Sequence, residues 1–389
     1  MSTISQVTAS DQPQFTARAR LHEDRPSIAE KFPDVANIAV LRGGGLGDFL
    51  FALPALHALR EAYPDSTIVV LGSPMAAQLM RGRPGPPDEV VVVPPAEGIR
   101  AGQSDPSEVD AFFTRMRTRG FDLGVQLHGG GRNSNPFVRR LGARHTVGTR
   151  TPDATDLERT MPYLYYQNEF VRGLEVVALA GAAPSRYGSE PMLARVPGAS
   201  GVEALAAAGV TVGDRPLVVL HPGATDARRR WPAERFGRVA AELSRDGATV
   251  VVVGDDGERQ LCDAVVQGAE RWDERARVAS VAGRLDLAGL AAVLGDADVV
   301  VANDSGPRHL AHALGTATVA VYWIGNLINA GPLTRSRHRV HLGWTTHCPV
   351  CGADCTQVSG AERCEHDKSF VAGVQWGEVY ESTLELLGR

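Results

Sequence analysis

From residue 36 onward, short runs of valine, isoleucine and leucine alternate with longer Ala-, Leu- and Arg-rich segments of helical period, and the alternation breaks once before starting again. Buried parallel strands read as near-continuous apolar runs, and each crossover between them needs a helix. The order therefore predicts an α/β fold, a parallel sheet with helices on both faces. Before the break the pattern places strands at 37–42, 67–71, 89–93, 121–127 and 144–147, and helices at 49–62, 107–119 and 168–181. The break falls at about 190–214, where Pro197, Gly198, Gly201, Gly213 and Pro216 interrupt both periods. Beyond it come strands at 217–220, 248–253, 277–281, 297–301 and 317–321 and helices at 232–245, 256–270, 286–294 and 306–314. A chain of 389 residues is too long for one core, so the reading is two Rossmann-like domains in tandem, their parallel sheets facing across a cleft.

The boundaries expected from this pattern are a polar tail over 1–33, a first domain over 34–195, a linker over 196–214 and a second domain over 215–345. A Cys-rich loop and a C-terminal helix over 346–389 are expected to pack back on the domains. The net charge of −5 and the dispersed basic residues leave no nucleic-acid footprint. Only Lys31 and Lys368 among the 40 basic residues are lysine. No run of about 18 apolar residues is present to span a bilayer. The polar N-terminus does not read as a signal peptide, and the expectation is a cytoplasmic protein, with a peripheral position at the inner membrane face left open.

Three loops carry the chemistry. The valine strand before Asn303 runs into Asp304-Ser305-Gly306-Pro307-Arg308-His309, a helix start with Ser305 at the cap and Pro307 in the first turn. Free N–H groups at such a start face an anion, although a capped connection would read the same way. The strand at 217–220 runs into His221-Pro222-Gly223-Ala224-Thr225 and three consecutive arginines, Arg228 to Arg230, whose guanidinium forks suit phosphate oxygens. A third loop, Gly254 to Glu258, offers carboxylates to ribose hydroxyls. All three leave the C-terminal ends of strands in one domain, where open α/β sheets bind ligands, and together they describe a nucleoside-diphosphate pocket.

In the first half, the strand ending at Arg42 breaks into Gly43, Gly44, Gly45 and Gly47 before Asp48. A dinucleotide turn has a phosphate-compatible helix start, and Asp48 would repel a phosphate. The carboxylate suits a hydroxyl, or simply caps the helix. His128, Arg132 and Asn133 follow another first-domain strand and are expected at the acceptor side of the cleft, unless the glycines between them are only structural. Near the C-terminus, Cys348, Cys351, Cys355 and Cys364 have a spacing compatible with a structural zinc, with His347 or His366 in reserve. Reduced free thiols are the alternative.

The arrangement Leu-Arg-x3-Leu-Gly-Asp-x5-Pro at 41–54, His-Pro-Gly-Ala followed by Arg-Arg-Trp-Pro at 221–232, and Asn-Asp-Ser-Gly-Pro-x-His-Leu at 303–310 resembles glycosyltransferase family 9, the heptosyltransferases of the GT-B fold. The resemblance covers roughly 36–330. It implies an inverting, metal-independent glycosyltransferase with no required cofactor. A sugar, heptose in much of the family, would pass from a nucleotide-diphosphate donor, ADP-linked by resemblance, to a glycan or glycolipid hydroxyl such as that of lipopolysaccharide. Asp48 then matches the general base, with Gly45 and Gly47 beside the acceptor. His221, Gly223, Thr225, Arg229, Gly254, Glu258, Asn303, Asp304, Ser305, Gly306 and His309 match the donor side. Arg229 departs from the family, which usually has lysine there. A sugar-nucleotide epimerase, an NAD-dependent oxidoreductase or a non-catalytic sugar-nucleotide-binding protein would share the layout.

Overall fold

The computed structural model describes residues 28–183, 191–356 and 364–389. The first sheet is built from β1 (Asn37–Arg42), β2 (Thr67–Gly72), β3 (Glu89–Val92), β4 (Leu123–Gln126), β5 (His145–Arg150) and β6 (Arg159–Pro162). Its helices are α1 (Leu46–Ala62), α2 (Pro74–Met80), α3 (Pro106–Arg117), α4 (Ser134–Arg140) and α5 (Glu169–Ala178). After α6 (Gly201–Ala207), the second sheet takes β7 (Leu217–His221), β8 (Thr249–Val252), β9 (Val278–Ser280), β10 (Val299–Asn303), β11 (Ala317–Trp323) and β12 (His338–Gly343). Its helices are α7 (Ala233–Arg245), α8 (Arg259–Trp272), α9 (Leu287–Asp296), α10 (Gly306–Ala313), α11 (Ile324–Ala330) and α12 (Trp376–Leu386).

Both sheets are parallel throughout, ordered β3-β2-β1-β4-β5-β6 and β12-β11-β10-β7-β8-β9. The two orders are the same when each sheet is counted from its own first strand. The strand order therefore reverses between β1 and β4 in one sheet and between β7 and β10 in the other, and at such points the diverging crossovers leave a crevice at the strand C-termini. The central strands are apolar on both faces because helices cover both; all five residues of β10 are buried. One apolar cluster serves both halves: Leu50, Leu53 and Val177 from α1 and α5 share it with Val293, Leu294 and Leu310 from α9 and α10.

Four expectations need correction. Residues 1–27 of the expected tail lie outside the described residues, but 29–33 belong to the fold: Ala29 N–H donates to Ala178 O, and Phe32, 5% exposed, stacks on His145 beneath the Arg159 guanidinium. A single aromatic held from two sides has no periodicity to announce it. The expected linker holds α6, whose N-cap Ser200 Oγ accepts the Glu203 N–H. Gly201 lets this helix press onto α9, since a Cβ there would fall 2.6 Å from Ala292 O. The terminal helix, Trp376–Leu386, joins the second sheet's own cluster against α7, so it packs on one domain and not on both. Short elements β6, α2, α4, α11 and β12 carry too few residues for a period to show, and the sequence pattern passed over them. Among the described residues no helix is long and apolar enough to cross a membrane.

Candidate functional site

β1 ends on Arg42, a buried guanidinium at the floor of the glycine loop. Its Nη2 lies 2.9 Å from Asp48 Oδ1 and 3.0 Å from Glu169 Oε2, its Nε donates to Asp48 O, and its Nη1 donates to Leu127 O. Arg172, one turn along α5, holds the other Glu169 oxygen. Asp48 Oδ2 accepts the Gly45 N–H at 2.9 Å, so the carboxylate does cap α1. It folds back so tightly that a Cβ at Gly44 would come within 2.4 Å of it. Its side chain is nevertheless 48% exposed. The result is a carboxylate clamped from behind by a cation and open in front.

The second domain answers with a buried carboxylate. Asp304 leaves β10 with Oδ2 3.0 Å from Arg229 Nη1 and 2.7 Å from Asn326 Nδ2, while Oδ1 accepts His309 Nε2–H at 3.0 Å. Burial opposes the charge on Asp304, but the hydrogen bond from His309 and the cation of Arg229 outweigh it and hold the carboxyl below the usual range. His309 is pushed down by its own burial and by Arg308, whose Nη1 donates to His309 Nδ1 at 2.9 Å. That leaves a neutral imidazole with its proton on Nε2, facing Asp304.

Ser305 sits at the N-cap of α10 as expected, but its hydroxyl makes no cap bond. It pairs instead with His221 Nδ1 at 3.0 Å, and His221 Nε2 meets Glu258 Oε2 at 3.2 Å. With Pro307 lacking an N–H, the Gly306 amide is the first-turn donor that has no helical carbonyl to bond and belongs to a residue lining the cleft, where it can meet an anion. The hydrogen bond from His221 holds the Glu258 carboxyl below its ordinary range against its own burial. Gly223 makes room for it: a Cβ there would stand 1.7 Å from Glu258 Oε1.

These loops meet in one cleft of about 620 Å³ between the sheets. Gly45, Gly47, Asp48 and Glu169 form its first-domain side. His221, Thr225, Arg229, Gly254, Glu258, Asp304, Ser305, Gly306 and His309 form the opposite wall, and Val253, Leu285, Leu287 and Leu290 give that wall an apolar end. The two helix starts touch: a Cβ on Gly47 would contact the His309 ring at 3.5 Å, and one on Gly306 would contact Leu46.

Five residues expected at the site are not on its walls. Asn303 is fully buried behind the wall, where Oδ1 accepts the Trp231 N–H and Nδ2 donates to Pro222 O; it shapes the loop that carries Arg229. Gly223 acts through the space it leaves for Glu258. His128 donates from Nε2 to Gly98 O and is kept below the ordinary histidine range by burial and by Arg42. Arg132 is out in solvent beside Asp153, and Asn133 precedes α4. The reason is the turn after β4: Gln126 Nε2 bonds His128 O, Gly129 O and Ser134 Oγ, and Asn135 Nδ2 bonds Thr149 O, folding the loop onto β5 and away from the cleft. Arg42, Glu169 and Asn326 were not singled out from sequence. Arg42 did carry a signal, a cation closing an otherwise apolar strand; Glu169 and Asn326 carried none.

The cysteine expectation changes in one member. Cys348, Cys351 and Cys364 converge, but Cys355 turns its thiol to Ala353 O, and His366 takes the fourth place. His347 pairs with Thr346 Oγ1.

Against known proteins, the model of glycosyltransferase family 9 (heptosyltransferase) matches residues 109–356, well over half of the chain. The chain belongs to glycosyltransferase family 9. Lipopolysaccharide heptosyltransferase 1 of Pseudomonas aeruginosa is 35% identical over 136 residues, 35% of this chain and 36% of that protein. Lipopolysaccharide heptosyltransferase 2 of Salmonella typhimurium is 29% identical over 130 residues, 33% of this chain and 37% of that protein. The chain thus spans little more than a third of the length of these curated relatives. Two solved structures share the GT-B fold. The family 9 protein of Veillonella parvula gives a TM-score of 0.72 at 19% identity, covering 93% of this chain and 99% of its own. ADP-heptose lps heptosyltransferase II of Escherichia coli gives 0.66 at 18%, covering 90% and 98%.

Proposed function

We propose that this protein is an inverting glycosyltransferase that moves a sugar, a heptose by likeness to its relatives, from an ADP-linked donor to a hydroxyl of a glycan or glycolipid. The observation that carries the reading is the single cleft in which Asp48 of one domain faces Arg229, Asp304 and the start of α10 in the other. In this reading the apolar end at Val253, Leu285, Leu287 and Leu290 receives the base, Glu258 receives ribose hydroxyls, and Thr225, Arg229 and the Gly306 amide at the start of α10 receive the diphosphate. Asp304 and Asn326 hold hydroxyls of the donor sugar. Asp48 accepts the proton as the acceptor oxygen attacks the anomeric carbon from the face opposite the diphosphate. The new C–O bond forms while the bond to the diphosphate breaks, and the electron pair leaves with the phosphate. Arg229 and the helix start offset that charge, so turnover is expected without added Mg²⁺. Contacts distributed over two domains make alignment depend on their closure.

The test has two arms. In a thermal-shift panel of ADP, GDP, UDP, CDP, dTDP and NAD, stabilisation by ADP is expected; stabilisation by NAD alone would overturn the reading. With ADP-heptose and a lipopolysaccharide-core acceptor, wild type is expected to release ADP, and Asp48→Asn to bind ADP as wild type does while losing about 10²–10⁴ in kcat. Equal turnover by the variant would remove Asp48 from the mechanism.

A further inference from the structure

Outside the cleft, the stretch after β12 is built around sulfur. The chain forms an antiparallel bridge between His347 and Asp354, closed by Cys348 N–H to Ala353 O at 2.8 Å and Cys355 N–H to Thr346 O at 2.8 Å. The turn at its tip is Cys348-Pro349-Val350-Cys351-Gly352. Gly352 N–H returns to Cys348 O at 2.9 Å, and Gly352 has φ +72°, a conformation that favours glycine. The turn thereby sets the Cys348 and Cys351 sulfurs within 4.8 Å of each other.

From the other end of the stretch, Cys364 and His366 close on the same point, and the four donor atoms all lie within 4.8 Å of one another. Tetrahedral zinc at ordinary Zn–S and Zn–N lengths places its donors roughly 3.5–3.8 Å apart, so only a small contraction separates this set from a filled shell. An independent sign is His366 Nδ1, which is buried without a hydrogen-bond partner among the described residues. Buried imidazole nitrogens are normally satisfied, and a metal bound to the ring would fix which nitrogen bonds metal and which needs a second partner.

We propose that Cys348, Cys351, Cys364 and His366 form a tetrahedral Cys₃His site that takes Zn²⁺ and ties the stretch after β12 to the loop carrying Arg229. Three thiolates and an imidazole select a thiophilic ion over Mg²⁺ or Ca²⁺, and a closed set of four protein donors gives it a structural role. The tie runs through Phe370: its N–H donates to Arg228 O at 2.7 Å, its carbonyl accepts Thr345 Oγ1 at 2.8 Å, and its ring lies under the Arg228 guanidinium. Arg229, the next residue, faces the cleft.

The full chain, stripped by chelation under reductant and then given ZnCl₂, should hold about one zinc per chain by elemental analysis. Cys364→Ser and His366→Ala should each fall to near background, while Cys355→Ser and Cys262→Ser keep the metal. Co²⁺ in place of zinc should give thiolate-to-metal charge-transfer absorption that His366→Ala alters, a readout that survives if Cys364→Ser fails to fold. Zinc removal should also raise proteolytic cleavage between 346 and 369. The site is overturned by sub-stoichiometric zinc in the reconstituted wild type, by metal retained in both ligand variants, or by a Cys348–Cys351 disulfide in protein purified without reductant. Iron bound stoichiometrically in preference to zinc would overturn the choice of ion, and unchanged proteolysis would overturn the tie.

Discussion

Replacing Asp304 by asparagine keeps its shape and removes its charge at a point where three donors converge. Asp304 is 2% exposed and accepts from Arg229, Asn326 and His309. An amide presents one oxygen and one NH₂. With the oxygen toward Arg229 and Asn326, the NH₂ meets His309 Nε2–H; turned round, it meets the other two donors. Either way a buried donor loses its acceptor and Arg229 loses its anion. Breaking a buried pair costs about 3–5 kcal/mol, and Arg229, 24% exposed, recovers part of that from water, so about 3 kcal/mol of lost stability is expected at neutral pH. The pH dependence has a definite sign. The folded Asp304 has a depressed pKa, so its contribution is complete above the unfolded carboxyl value of about 4 and fades as pH falls through the folded value. Urea denaturation of wild type and D304N should show a constant gap from pH 8 to pH 5 that narrows below about pH 4. A variant within about 0.5 kcal/mol of wild type at pH 7.5, or a gap that widens on acidification, would refute the charged, desolvated Asp304 described above.

Arg42→Lys supplies one ammonium where a fork reaches Asp48 and Glu169 together; transfer should fall about tenfold in kcat with ADP affinity unchanged by calorimetry. Gly223→Ala must drive the Glu258 carboxylate from its place, because 1.7 Å leaves no room for a methyl; ADP binding should weaken by about 10–100-fold, and wild-type affinity would show that Glu258 plays no part in it. Arg132→Ala changes a solvent-exposed side chain and should leave both turnover and stability within about 0.5 kcal/mol of wild type, measured as kcat/KM and by urea denaturation.

The parallel sheets were legible because buried strands and amphipathic helices write different periods. The loops at 43–48, 221–230 and 303–309 were legible because glycine, polar residues and arginine interrupt those periods at strand ends. What could not be read was direction. The sequence 126–133 looks like another ligand loop, yet its outcome depends on Gln126 bonding the His128 and Gly129 carbonyls and on Asn135 bonding that of Thr149 on β5. Asn303 lies within a motif of ligand-facing residues and points the opposite way, because a strand alternates its faces. Glu169 reaches Arg42 across 127 positions of chain. Spacing alone likewise could not choose between Cys355 and His366, because the choice depends on where the chain returns after the turn.

The apolar cluster shared by α1, α5, α9 and α10 makes the two halves unequal to their matching strand orders. Equal topology invites treating the nucleotide half as a cassette, to be exchanged between family members for a new donor. Here the surface that would be cut is interior. A transplanted half would arrive with Leu310, Val293 and Leu294 shaped for a different α1, leaving holes or overlaps where Leu50 and Leu53 now fit. Chimeras should therefore inherit α1 and α5 along with the half they pack against, and the seam belongs in the sheet's outer layer, not between the domains.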